Sequence, residues 1–220
     1  MMSSKEKSDK NRKSLEDRFS RLSPLKDTLH LLLRIVLDEI PEDSQVLVVG
    51  AGGGQELLYL ADAFPNCGFT VVEPDASILE TCVQNCNGRG ISSRCTFHEG
   101  ILDSLPGAVE FNAATSILVS HYLPNTEAKA NYFRVIASRL VSKGILVGTD
   151  LITWKPFEDP SSLLGLWKRT MKFADAPVPP KVPEVSQREF TEIVRKGGFQ
   201  EPVFSYQALL MNAWYTRKLD

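Results

Sequence analysis

Val46-Leu47-Val48-Val49-Gly50-Ala51-Gly52-Gly53-Gly54-Gln55-Glu56-Leu57, read with Phe69-Thr70-Val71-Val72-Glu73-Pro74-Asp75 downstream, decides the fold of this chain. The apolar run at 47–49 is too short for a helix, is rich in β-branched residues, and is bounded by Pro41 and a glycine cluster, which are the marks of a buried parallel strand. Gly50, Gly52 and Gly54 then open a tight turn, because they tolerate positive φ and carry no Cβ, so a ligand can lie directly against the main chain. Leu57, Leu60, Ala61 and Phe64 recur on one helical face, and a helix starting at the glycines leaves its free N–H groups beside the loop.

The second strand of the pair ends at Glu73, roughly twenty residues beyond Gly50, the length of one crossover helix and a parallel return strand. A carboxylate at that point can accept both hydroxyls of a ribose. Any doubly wound sheet that binds an adenosine compound can use this arrangement, and the glycine spacing is the finer test. A dinucleotide fingerprint requires glycine where Gln55 stands. The sequence gives G-x-G-x-G instead, so the helix need not sit as close to its strand and no pyrophosphate need be cradled.

In these elements the chain resembles the class I S-adenosylmethionine-dependent methyltransferases, by motif order over roughly residues 40–220. The resemblance implies a three-layer α/β/α sandwich, a doubly wound, mostly parallel seven-stranded sheet ending in an antiparallel hairpin, with S-adenosyl-L-methionine as cofactor. Carried onto this sequence, it assigns Gly50, Ala51, Gly52, Gly53, Gly54 and Gln55 to the glycine loop and Glu73, with Pro74 and Asp75, to the ribose. Gly100, Ile101 and Leu102 fall at the adenine-contacting segment, and Val119 and Ser120 at the end of the fourth strand. Many members have an aspartate at about the position of Ile101; here adenine recognition is left to backbone and apolar packing, or to Asp103.

Composition agrees with one larger α/β domain, since 220 residues can bury a sizeable core. The 25 basic and 27 acidic residues give a net charge of −2, which supplies no electrostatic reason for nucleic acid. The sequence shows neither a membrane-length apolar run nor a signal-type leader, and the expectation is a cytoplasmic protein with no membrane partner. Four cysteines raise the question of zinc. Cys82 and Cys86 continue the stripe Ile78, Leu79, Val83 and are explained by burial, and without a C-x-x-C pair no metal is expected.

Along the chain, residues 1–14 read as a disordered polar tail and residues 15–220 as a single domain. Ser23-Pro24 starts a helix through Leu25, Leu29, Leu32, Val36 and Ile40, so that 15–40 forms an N-terminal helical lid. Phe19, in the segment before that helix, is a substrate-facing candidate; closure over the cofactor and simple packing explain its spacing equally well. Residues 109–120 read as the fourth strand with its exit loop, 126–140 as a helix, and 143–150 as a turn and fifth strand. Ser186 caps a helix closed by Gly197-Gly198, and 203–206 with 209–215 form the antiparallel finish.

Residues 151–185 exceed what a strand-to-helix connection needs, and long insertions in compact domains tend to be functional. They follow the fifth strand at its C-terminal edge, where ligands of open α/β sheets bind, so Trp154 and Trp167 are expected in a substrate cap. Core packing explains the same helical spacing around Trp167. Methyl transfer from a sulfonium is an in-line displacement, for which alignment and water exclusion do most of the work, and a base is needed only for an acceptor that still carries its proton. His121 is a candidate base because an imidazole titrates near neutral pH, although in the resembling family this position often simply lines the cofactor pocket; Tyr122 and Asp150 are weaker alternatives. No motif of the adenine, glutamine or cytosine C5 methyltransferases follows the fourth strand, so DNA is not an expected partner. A small-molecule acceptor with an O or N nucleophile leads. A tRNA-modifying enzyme and a catalytically inactive cofactor-binding regulator stay open, as does the choice between monomer and homodimer.

Overall fold

The computed structural model describes residues 23–107, 110–153, 165–166, 169, 185–208 and 210–220. The tail at 1–14, Phe19, Trp154, Trp167 and most of the 151–185 insert therefore lie outside the described residues.

Seven strands form one sheet in the order β3-β2-β1-β4-β5-β7-β6. They are β1 (Gln45–Val49), β2 (Gly68–Glu73), β3 (Cys95–Glu99), β4 (Phe111–Ile117), β5 (Leu140–Leu151), β6 (Val203–Ala208) and β7 (Met211–Arg217). Pairing is parallel from β3 through β5, and β7 lies antiparallel between β5 and β6. Among the described residues five helices flank it: α1 (Ser23–Leu37), α2 (Gln55–Ala63), α3 (Ala76–Gly88), α4 (Thr126–Arg139) and α5 (Gln187–Lys196). The expected three-layer, mostly parallel sheet finished by a hairpin is the architecture observed.

The period-two alternation of the strands divides the core into two layers. Val46 and Val48 of β1 point with Phe69 and Val71 of β2 into a cluster with Leu33, Leu57, Leu60 and Leu79, beneath α1, α2 and α3. Leu47, Val49 and Val72 point the other way, against Phe133, Ile136, Phe190 and Trp214 beneath α4 and α5. Phe133 meets Phe190 and Trp214 edge-on, with ring centroids 5.8 Å apart in each pair. Ser186 caps α5 in a reciprocal box with Glu189, as the sequence spacing predicts, so two backbone donors at that helix start are satisfied.

Two boundaries differ from the sequence reading. α1 stops at Leu37, three residues short of Ile40, because Pro41 disfavours helical backbone in the residue before it; Ile40 still packs on the core from the turn. β5 begins at Leu140, directly after α4, and takes in the expected turn at Lys143-Gly144 as an irregularity: Phe111 pairs with Leu140, then Ala113 with Ile145. Lys143 takes φ 60 there.

The connection from β3 to β4 positions the site. Its described residues form only a 3-10 turn at Leu102–Ser104, whereas α2, α3 and α4 fill the neighbouring connections. Leu102 packs in one buried cluster with Ala130 and Phe133 of α4, and it borders the same cavity as Ala128, Asn131 and Tyr132 of that helix.

Candidate cofactor site

The glycine loop leaves β1 at Gly50, whose N–H donates to the Val72 carbonyl at 2.9 Å and ties the loop to the end of β2. Its glycines serve different neighbours. A Cβ on Gly50, at φ 76, would meet Val119 Cγ2 at 2.4 Å, and one on Gly54, at φ 81, would meet Cys82 Sγ at 2.9 Å. Nothing lies within 4 Å of a Cβ on Gly52 or Gly53. Two glycines therefore serve packing within the protein, and the middle pair leaves the backbone open. Gly54 starts α2 with no side-chain cap, so N–H groups of the first turn have no side-chain acceptor.

These residues border a cavity of about 740 Å³, within the range of small-molecule sites. Gly50, Gly52, Gly53, Gln55, Glu73, Pro74, Gly100, Ile101, Leu102 and Val119, all singled out in the sequence, line it together with Tyr122. Glu73 is 7% exposed, and its Oε1 accepts the Asp75 N–H at 3.1 Å, which fixes the carboxylate at the strand end. Gly100, at φ 152, donates its N–H to the Glu73 carbonyl and so draws the β3 exit beside β2. Ile101 is 60% exposed beside the buried Leu102, and Asp103 also reaches the lining.

Among the described residues, six of the expected site candidates do not line the cavity: Ala51, Gly54, Asp75, Ser120, His121 and Asp150. Ala51 is buried in the α2 and α3 layer, and Gly54 is backed by Cys82. Asp75 caps α3: its Oδ1 accepts from the N–H groups of Ser77 and Ile78 and from the Ser77 hydroxyl, and these bonds hold its pKa below the ordinary value. Ser120 is 1% exposed and donates its hydroxyl to Asp150 Oδ2 at 2.8 Å. His121 sits beside the same carboxylate, its Nδ1 3.8 Å from Asp150 Oδ1, too far for a hydrogen bond.

The surroundings of His121 bear on its titration. Burial, and then the positive charge of Lys129, push its pKa down to about 4, so the ring is neutral at pH 7. Asp150 moves the opposite way, up to about 7, because burial outweighs the Ser120 bond, Lys129 and the His121 N–H. The hydrogen bond with Cys82, and then burial, push the Cys86 thiol up to about 12, against the bond with Cys95, which lowers it. Among the described residues no group of three or more His, Cys, Asp or Glu is arranged to hold a metal. Nor is any helix among them long and apolar enough to cross a membrane.

Sequence reading missed one wall. Ala128, Asn131 and Tyr132 line the cavity from α4, and Glu56 and Ile78 from α2 and α3. The i, i+3, i+4 spacing of the α4 trio marks a helical face, but the spacing does not say which cavity that face borders.

Comparison with known proteins places this geometry. Residues 46–144 match the family model described as a methyltransferase domain. These residues thus carry a methyltransferase domain, and the sheet order around it is the one that the resemblance to the class I S-adenosylmethionine-dependent methyltransferases implies. Among solved structures it is similar to a protein of Nostoc punctiforme assigned as an O-methyltransferase, with 17% identity, a TM-score of 0.66, and coverage of 88% of this chain and 58% of that one. The N-methyltransferase NodS of Bradyrhizobium japonicum, in complex with S-adenosyl-L-homocysteine, gives 15% identity, a TM-score of 0.62 and coverage of 89% and 87%. Mitomycin 7-O-methyltransferase MmcR gives 19%, 0.63, and coverage of 86% and 53%. The chain thus spans little more than half of the first and third and most of NodS. At these identities the likeness is one of fold. No curated protein matches the sequence significantly.

Proposed function

We propose that this chain binds S-adenosyl-L-methionine in the cavity and transfers its methyl group to an O or N nucleophile of a small molecule. The carrying observation is the charge of the wall. Glu56, Glu73 and Asp103 line the cavity, and among its described lining residues there is no lysine, arginine or histidine. Such a wall suits a ligand that carries a sulfonium and an ammonium better than one that carries a pyrophosphate.

The fit is divided between residues. In this reading Glu73 accepts the ribose hydroxyls, and Ile101 and Leu102 face the adenine with backbone and apolar contact. Gly52 and Gly53 leave the main chain open beside the first turn of α2, where N–H groups suit the cofactor's carboxylate. S-adenosylmethionine supplies a methyl group activated by the neighbouring positive sulfur. The protein's part is to align an acceptor with that methyl group and to keep water away, and Tyr122, Leu123, Asn131 and Tyr132 extend the cavity beyond the cofactor residues for this purpose. Tyr122 stands 78% exposed at the rim. His121, neutral and behind the wall, serves as base only for an acceptor that reaches it.

Calorimetry with S-adenosylhomocysteine tests the first level, followed by methyl transfer from S-adenosylmethionine across a panel of hydroxyl and amine metabolites. Absence of binding sinks the proposal. Binding without turnover on any acceptor favours the regulator reading instead, and turnover on tRNA favours the RNA enzyme.

A further inference from the structure

The turn that follows β4 carries much of the cavity wall, through Leu118, Val119, Tyr122 and Leu123. Its backbone is strained, with Leu118 at φ 55, a left-handed conformation that branched and bulky side chains resist. Something must hold it. Leu118 N–H donates to the Thr149 carbonyl at 2.8 Å, and Tyr122 and Leu123 donate to Val119 and Ser120 at 3.1 Å each. Ser120, at the centre, is gripped twice: its hydroxyl donates to Asp150 Oδ2 at 2.8 Å, and its carbonyl accepts from Lys129 Nζ. Asp150 is 1% exposed and Lys129 7%, so an anion and a cation are both withdrawn from water around one serine.

Burying two charges is costly, and removing either one leaves the other unpaired. We propose that Asp150 and Lys129 are positioning residues: together they clamp Ser120, hold residues 118–123 against the glycine loop, and make cofactor affinity depend on the charge at residue 150. The link to the loop is Val119, which occupies the space that a side chain on Gly50 would need. Displacement of the turn therefore moves the wall beside the glycine backbone. The inference rests on the reading of the cavity as the cofactor site.

Three titratable or charged groups surround Asp150: His121 from the turn, and Lys129 and Tyr132 from α4. Burial raises the Tyr132 pKa above its ordinary value, and His121 is neutral above about pH 4, so neither changes charge between pH 6 and 8. Asp150 does, and its protonation leaves the Lys129 ammonium without a counter-charge.

Two measurements test the clamp. Amide hydrogen exchange on the ligand-free protein compares wild type with Asp150→Asn, Lys129→Met and the double variant. Faster exchange confined to residues 118–123 in each single variant, restored toward wild type in the double, supports the clamp; unchanged exchange overturns it whether or not the cofactor reading holds. Calorimetry with S-adenosylhomocysteine at pH 6 and 8 then reads the consequence. Wild-type affinity is expected to be roughly three- to tenfold weaker at pH 6, a coupling typical of neighbouring groups, and Asp150→Asn to be weak and flat with pH. Equal pH dependence in wild type and Asp150→Asn overturns the link to cofactor affinity. No binding by wild type at either pH removes the cofactor reading, and that link with it, while hydrogen exchange still decides the clamp.

Discussion

Gly50 and Val119 occupy complementary space at the junction of the glycine loop and the fourth strand: a Cβ on the first would sit 2.4 Å from Cγ2 of the second. Gly50 also takes φ 76, so alanine there meets both a backbone penalty and a collision. Gly50→Ala is expected to destabilise the fold by about 2–4 kcal/mol, combining overpacking with left-handed strain. Adding Val119→Ala should recover part of that loss, because it removes the collision and leaves the strain. Urea unfolding of the two single variants and the double variant gives the coupling. A double variant whose loss is the plain sum of the singles would show that the contact carries no energy.

Glu73 gives the cleanest test of the ribose assignment. Its carboxylate is fixed by the Asp75 N–H at the cavity wall, and glutamine preserves the shape while removing the charge. Hydrogen bonds to a charged group contribute about 1.5–3 kcal/mol, so Glu73→Gln should weaken S-adenosylhomocysteine binding roughly tenfold to a hundredfold. Calorimetry checks the affinity and a thermal melt of the free protein checks the fold. Unchanged affinity with an unchanged melt would move the ribose elsewhere.

The strands that build the site were legible because buried parallel strands leave apolar runs and positive-φ turns leave glycines. Both signals are local, and Val46 to Glu73 contains them in order. The cavity's far wall was not legible, since the spacing of Ala128, Asn131 and Tyr132 marks a helical face while the tertiary packing of α4 sets which cavity that face borders. Asp75 is ambiguous in the sequence for a related reason. An aspartate before a helix can cap it or face a ligand, and here Ser77 and Ile78 claim its side chain. The chemistry at His121 depended on burial and on Lys129, two features of packing that spacing does not encode.

His121 should stay neutral through the range in which free histidine titrates. Its ring tilts on Tyr122 with centroids 4.1 Å apart, and burial with the nearby Lys129 charge lowers its pKa to about 4. Carbon and proton chemical shifts of the imidazole, followed from pH 8 down to pH 5, are expected to show little change. Lys129→Met should raise the midpoint, because one of the two causes of the depression is gone. A wild-type midpoint near 6.5 would mean that the ring is solvated and free to act as a base at neutral pH.

Asp150 and His121 push the pH dependence of stability in opposite directions. Asp150 has a folded pKa of about 7 against 3.8 in the unfolded chain. Between those values the native state holds more protons, so this group's contribution to stability rises as pH falls. His121 has a folded pKa of about 4 against 6.5. Between pH 6.5 and 4 the unfolded chain holds more protons, and its contribution falls as pH falls. Across that shared window the two largely cancel in the wild type. Asp150→Asn removes one side of the balance and should lose stability from pH 6.5 to 4.5 with an extra slope of up to about 1.4 kcal/mol per pH unit relative to wild type. His121→Leu should show the reverse, gaining on wild type as the solution is acidified. Urea unfolding at half-unit steps measures both slopes, and because every other carboxylate is common to the three proteins, only the differences between curves count. Parallel curves for Asp150→Asn and wild type would mean that the buried carboxylate titrates at its ordinary value.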